Sequence, residues 1–100
     1  MTDYVLQKSS RVDKKFMVKT PQGKIIHFGA NNYSDFTLHK DEKRKENYIK
    51  RHGAPASRED WSDLNKASCW ARYILWNKPT LTGSIRDMEK RFGIKIVKKI

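Results

Sequence analysis

FMVKTPQGKIIHFG, residues 16–29, decides the fold. Phe16 to Thr20 is rich in β-forming side chains, and so is Ile25 to Phe28. Between them stands Thr20-Pro21-Gln22-Gly23. Proline pre-sets φ for the first corner of a turn, and glycine accepts a positive φ at its end. The stretch therefore predicts a β-hairpin, with Lys24 to Gly29 as the return strand. A sheet needs more than two strands to be stable. The sequence offers Gly93 to Val97, where Ile94 and Ile96 alternate with Lys95. It also offers residues 1–13, polar apart from Tyr4-Val5-Leu6, which read as an N-terminal arm or an edge strand.

The rest is helical or irregular. Ala30 to Lys40 shows no period. Asp41 to His52 reads as a helix, with acids at its positive end and Lys50, Arg51 and His52 at its negative end. Gly53 stops it and Pro55 prevents resumption. Its apolar face is thin, Tyr48 and Ile49. Gly53 to Ser57 is a short linker, and Ser57-Arg58-Glu59-Asp60 resembles a capping box. A second helix falls within Trp61 to Trp76. Its apolar residues cover most of the circumference, as in a helix central to a core. A third runs from Ser84, the cap, to Phe92, with Gly93 as the stop. The expected fold class is α+β: a small antiparallel sheet, hairpin plus C-terminal strand, packed by about three helices on one face. Residues 14–100 form the single domain.

With 22 Lys and Arg against 11 Asp and Glu, the formal charge is +11 and the pI is near 10.0. Such a chain is drawn to polyanions, whether nucleic acid, anionic lipid or acidic protein. The apolar fraction is only 37%, but 11 aromatic rings supply enough area for a compact core. The one cysteine, Cys69, sits in an apolar run and reads as a small buried hydrophobe. Met1-Thr2-Asp3-Tyr4 carries no signal-peptide pattern. The apolar run Cys69 to Trp76 is too short to span a bilayer. The expectation is a soluble protein of a reducing compartment.

Enzyme and metal chemistry find little support. His27, His39, His52 and Cys69 lack zinc-site spacing. Asp35, His39 and Asp41 make a nuclease-like trio, yet no glycine-rich phosphate loop, H-E-x-x-H or nucleophile elbow accompanies them. Asp35 reads better as an Asx-turn residue. No catalytic residue, metal or cofactor is expected.

The basic residues are better ordered. Lys40, Lys43, Arg44, Lys45, Lys50 and Arg51 crowd the first helix; Arg86, Lys90 and Arg91 begin a second cluster that Lys95, Lys98 and Lys99 continue. These are the candidate contacts for nucleic acid or an acidic partner. The chain lacks an RNP aromatic pattern, a KH loop and a zinc finger, so base readout is not expected. Trp61, Trp70, Trp76 and Tyr73 are either a stacking platform or core; their helical spacing favours core, with Trp76 the exception at the helix end.

HFGA (27–30), YSDFTxHKDEKRK (33–45), YIKRH (48–52) and LWNKP (75–79) together resemble a family of short basic proteins of unassigned function encoded by large nucleocytoplasmic double-stranded DNA viruses of algae and amoebae. The resemblance covers most of Lys14 to Ile96. Gly53 to Ser57 departs from the more basic linker of that family. The family brings no catalytic residues to carry over. The resemblance implies a virion protein made in the host cytoplasm or virus factory. Its partners would be capsid or other virion proteins, or else the genome, with neither a small-molecule substrate nor a membrane span. On this reading residues 27–52 are a strand end, a connector pinned by Tyr33 and Phe36, and a helix that presents charge.

Overall fold

The computed structural model describes residues 3–31, 34–54 and 59–99. Four strands form one sheet: β1 (Asp3–Lys8), β2 (Lys14–Lys19), β3 (Ile25–Ala30) and β4 (Lys95–Lys99), in the order β3-β2-β1-β4. The hairpin forms as its sequence predicts. Phe16 stands opposite Phe28 and Val18 opposite Ile26. Gly23 takes φ +90° and donates its N–H to the Thr20 carbonyl at 2.9 Å.

The helices are α1 (Phe36–His39), α2 (Glu42–His52), α3 (Ala67–Trp70) and α4 (Leu81–Phe92). A π-helical turn, Ala71–Leu75, continues α3, closed by the Trp76 N–H on the Ala71 carbonyl. The class is α+β, with two departures from the expected sheet. The N-terminal segment is neither an arm nor an edge strand, because β1 lies between β2 and β4. Leu6 reaches the core and is fully buried, with Tyr4 packed beside it. These two apolar side chains on one face suffice to seat the strand, although its neighbours are polar. The sheet is also mixed rather than antiparallel, since β4 pairs with β1 in parallel, Tyr4 beside Ile96. Alternation along a strand sets which face is buried and carries no direction.

The helix expected within Trp61 to Trp76 begins only at Ala67. Ahead of it, Asp60 and Asp63 accept from Ser62 N and Asn65 N in short Asx turns, which compete with helix. Thr80, not Ser84, caps α4 by accepting from Gly83 N. Ser84 is buried and accepts from Lys78 N at 3.0 Å. Gly93 ends α4 in the left-handed conformation, φ +64°. The capping-box residues Ser57 and Arg58, Pro55 and the pinning residue Tyr33 lie outside the described residues.

The core forms where α3, the π turn and α4 meet one sheet face. Trp70 is fully buried, with Tyr4 at 5.5 Å and Phe28 at 6.2 Å between ring centroids. Its indole N–H donates to the Leu64 carbonyl at 2.9 Å, so the buried ring leaves no donor unsatisfied. In a π-helix the i→i+5 closure sets residues five apart above one another. Cys69, Trp70, Ile74 and Leu75 can thus all be buried.

Candidate anion-binding cleft

A connector and a helix build the site. After β3 the chain turns at Gly29, φ +80°. Asp35 then caps α1, accepting from Thr37 N at 2.9 Å and from the Thr37 hydroxyl. Its other carboxylate oxygen holds Lys15 Nζ, tying the connector to β2. Phe36 is 1% exposed and pins this short helix to the interior. Lys40 exits in the left-handed region, φ 56°. Asp41 then caps α2 by accepting from Lys43 N and Arg44 N.

Of the described α2 residues only Tyr48 is buried. Its ring lies parallel to Trp76, centroids 4.4 Å apart and planes 6° apart, and His52 covers its other face at 4.3 Å. His39 leans on Trp76 at 5.4 Å. The stack His52–Tyr48–Trp76–His39 anchors the helix to the π turn. Burial pushes the Tyr48 hydroxyl's pKa up, and the Glu59 carboxylate adds to the rise. Both faces of Tyr48 are occupied, so the ring is an internal fixture and not a platform for bases. Trp76, expected as the exposed exception, is half-buried in this stack.

Between α2, the paired ends of β2 and β3, and α3 with its π turn lies an open cleft of about 850 Å³. Tyr48, Trp76, Phe28 and Leu75 give it an apolar floor. Lys14, Arg44 and Arg51 line it with cationic groups that form no ion pair among the described residues. Lys15 is neutralised by Asp35, and Glu59 is engaged by His52 and by the Trp61 indole N–H. Arg44 and Arg51 are seven residues apart on one helix, about 10.5 Å along its axis. Lys43 and Lys50 repeat that spacing, and all four side chains are exposed.

The nine sequence-predicted basic residues therefore divide. Lys43, Arg44, Lys50 and Arg51 form one exposed face. Lys40 is exposed but gives its ammonium to the Thr37 carbonyl. Lys45 turns inward, half-buried, with Nζ 4.9 Å from the Phe36 ring centroid; burial lowers its pKa. It is a packing residue rather than a presenting one. On α4, Arg86, Lys90 and Arg91 are all exposed, but Arg91 also bonds Asp87 at 3.2 Å and covers Tyr73 at 5.0 Å. Asp87 has its pKa lowered first by the Asn77 amide, which donates to it at 2.7 Å. Arg72 lies over both Trp61 and Tyr73, at 5.3 and 5.1 Å, and burial lowers its pKa.

Sequence reading missed Lys14, which reaches the cleft from β2. Thirty residues separate it from Arg44, and only the strand-to-helix fold brings them together. The residues of the nuclease-like trio make local bonds, while His39 Nε2 is buried without a hydrogen-bond partner among the described residues. Asp35 and Asp41 cap helices, and His39 Nδ1 accepts from Asp41 N at 2.9 Å. Among the described residues no three His, Cys, Asp or Glu side chains converge as a metal site would need. Cys69 is fully buried, and burial raises its thiol pKa to about 12. No described helix is long and apolar enough to cross a membrane.

Residues 4–52 match the model of a family of unknown function (DUF5754). The matched span runs from β1 through α2, and so contains Lys14, Arg44, Tyr48 and Arg51 but none of α3, α4 or β4. No curated protein and no solved structure matches the chain.

Proposed function

We propose that this chain is a small non-enzymatic structural protein of a large DNA virus, a minor capsid or inner-virion component. It docks the α2 face and its cleft onto acidic protein surfaces. The observation that carries the reading is the set Lys43, Arg44, Lys50 and Arg51: four exposed cations on one helix, without ion pairs among the described residues. The helix beneath them is held by Tyr48 and His52 in the aromatic stack and by Lys45 against the Phe36 ring. With one side chain buried, it leaves most of its surface outward and presents charge at fixed spacing. The viral setting rests on the sequence resemblance.

Sequence-independent binding of DNA or RNA is the second reading, favoured by the same exposed cations, which suit phosphates equally well. The closed aromatic stack supports backbone contact without base readout.

The test is the variant Lys43→Ser/Arg44→Ser/Lys50→Ser/Arg51→Ser, measured against polyglutamate and against duplex DNA. We expect loss of polyglutamate binding with an unchanged circular dichroism spectrum; retained affinity would remove α2 from the interface. If duplex DNA is the partner, four phosphate contacts predict a slope of about −3.6 for log K against log salt, abolished in the variant. Stepwise stripping of virus particles, followed by quantitative mass spectrometry, separates the two readings. Retention with the shell at a fixed ratio to the major capsid protein supports docking on protein. Release with the genome supports the second.

A further inference from the structure

The helices use one face of the sheet. The other face carries two rows of side chains that run across all four strands. Strand registers set Val97, Val5, Lys19 and Ile25 side by side in one row, and Lys99, Gln7, Met17 and His27 in the next. Val5, Met17 and Val97 are half-buried by their neighbours and Ile25 is 51% exposed; none of the four belongs to the core cluster or packs against it. A shallow hollow of about 390 Å³ opens between Val5 and Val97, rimmed by Lys19, Pro21, Lys99 and Asp3. Four apolar side chains thus gather on this face outside the core.

We propose that this uncovered sheet face is a second docking surface, for an acidic protein whose contact area holds apolar side chains at its centre and carboxylates around them. Charge complementarity selects that occupant. Lys95 and Lys99 flank the apolar side chains and Lys19 stands among them, without ion pairs among the described residues, and Asp3 is the one acid in either row or beside them. A second copy of the chain, itself at +11, is repelled by the same lysines. Duplex DNA is disfavoured because its phosphate backbone offers no apolar counterpart to Val5, Met17 and Val97. Three inter-strand spacings by four residues give a patch of about 200 Å². This is near a quarter of the ~800 Å² per partner of a stable interface. The face therefore acts as one contact among several, as in a multi-component assembly. It is separate from α2, so failure here leaves the cleft reading standing.

The experiment titrates the ¹⁵N-labelled full chain with a short peptide alternating Glu and Val, with polyglutamate of equal length, and with duplex DNA. The Glu–Val peptide is expected to shift the amides of Val5, Met17, Lys19 and Val97. Its Kd is expected to rise roughly tenfold in Met17→Lys/Val97→Lys, the equivalent of one lost apolar contact. That variant gains positive charge, so binding by charge alone would tighten instead and overturn the proposal. Equal affinity for polyglutamate, read at those same sheet-face amides and not at α2, would overturn it too. So would the same amides moving with DNA, or moving with protein concentration before any peptide is added. Shifts of α2 amides by polyglutamate in the variant verify that it is folded.

Discussion

Gly29 bears two constraints at once. Its φ of +80° lies where side chains are strained, and a Cβ would stand 2.7 Å from Leu75 Cδ1, inside any permitted contact. Gly29→Ala should therefore destabilise by about 1–3 kcal/mol, seen as a lower urea midpoint. An unchanged midpoint would mean that the turn into the connector is not fixed by this contact. A second residue-scale constraint is the Lys15–Asp35 pair, whose side chains are 11% and 3% exposed. Lys15→Met strands a buried carboxylate and should cost roughly 3–5 kcal/mol. Adding Asp35→Asn, which retains an oxygen for Thr37 N, should recover part of that loss; a purely additive double mutant would deny the coupling. At this scale the sequence was half legible. Asp35 reads from its own neighbours as an Asx-turn residue, and it does accept from Thr37 N, although the short helix it caps is not announced. Its partner Lys15 lies twenty positions earlier, and nothing local points from one to the other.

At the scale of elements, β4 is an outer strand beside β1, and its free side is a template for another chain. The structure blunts that edge. Glu89 on α4 turns its carboxylate back to accept the Ile96 N–H at 2.9 Å, and the exposed Lys95, Lys98 and Lys99 add charge along the strand. Glu89→Ala exposes the donor and removes a charge-assisted hydrogen bond. It should lower stability by about 1.5–3 kcal/mol and increase light scattering on mild heating. Glu89→Gln, which keeps an acceptor, should scatter less than the alanine variant; equal scattering from the two would show that the cap does not protect the edge. Elements with punctuation were the legible ones. Pro21 and Gly23 bracket the hairpin, Asp41 and Gly53 bracket α2, and Gly93 ends α4. What local pattern lacked was partnership. The direction of β4 and the inner place of β1 are set by the route of the whole chain. The π turn and the late start of α3 come from tertiary packing around Trp70 and from the Asx turns of Asp60 and Asp63. The candidate site followed the same rule: the α2 face was readable, whereas the cleft wall from β2 and the inward turn of Lys45 were not.

For the whole molecule, size and charge fix a further expectation. The described fold spans 37 × 26 × 23 Å and the chain carries +11. At ~0.01 M ionic strength the screening length is about 30 Å, so every cation feels nearly every other; at ~0.15 M it is about 8 Å, and only neighbours interact. Unfolding separates the charges, and self-repulsion therefore favours the unfolded chain most at low salt. Raising sodium chloride across this range should raise the melting temperature, where a balanced protein held by surface ion pairs would lose stability. The four-serine α2 variant lowers the net charge from +11 to +7, since four cations are removed from the +11 of the sequence. Serine is the poorer helix former and loses the contact of Lys50 and Arg51 with the helix's negative end at every salt concentration. The discriminating quantity is therefore the slope: the variant's melting temperature should rise less with salt than the parent's. That result would mean the α2 cations cost the isolated fold stability and are retained for what they meet. If the variant kept the parent's salt dependence, the α2 cations would contribute nothing to the repulsion, and the docking role of α2 would lose its physical basis.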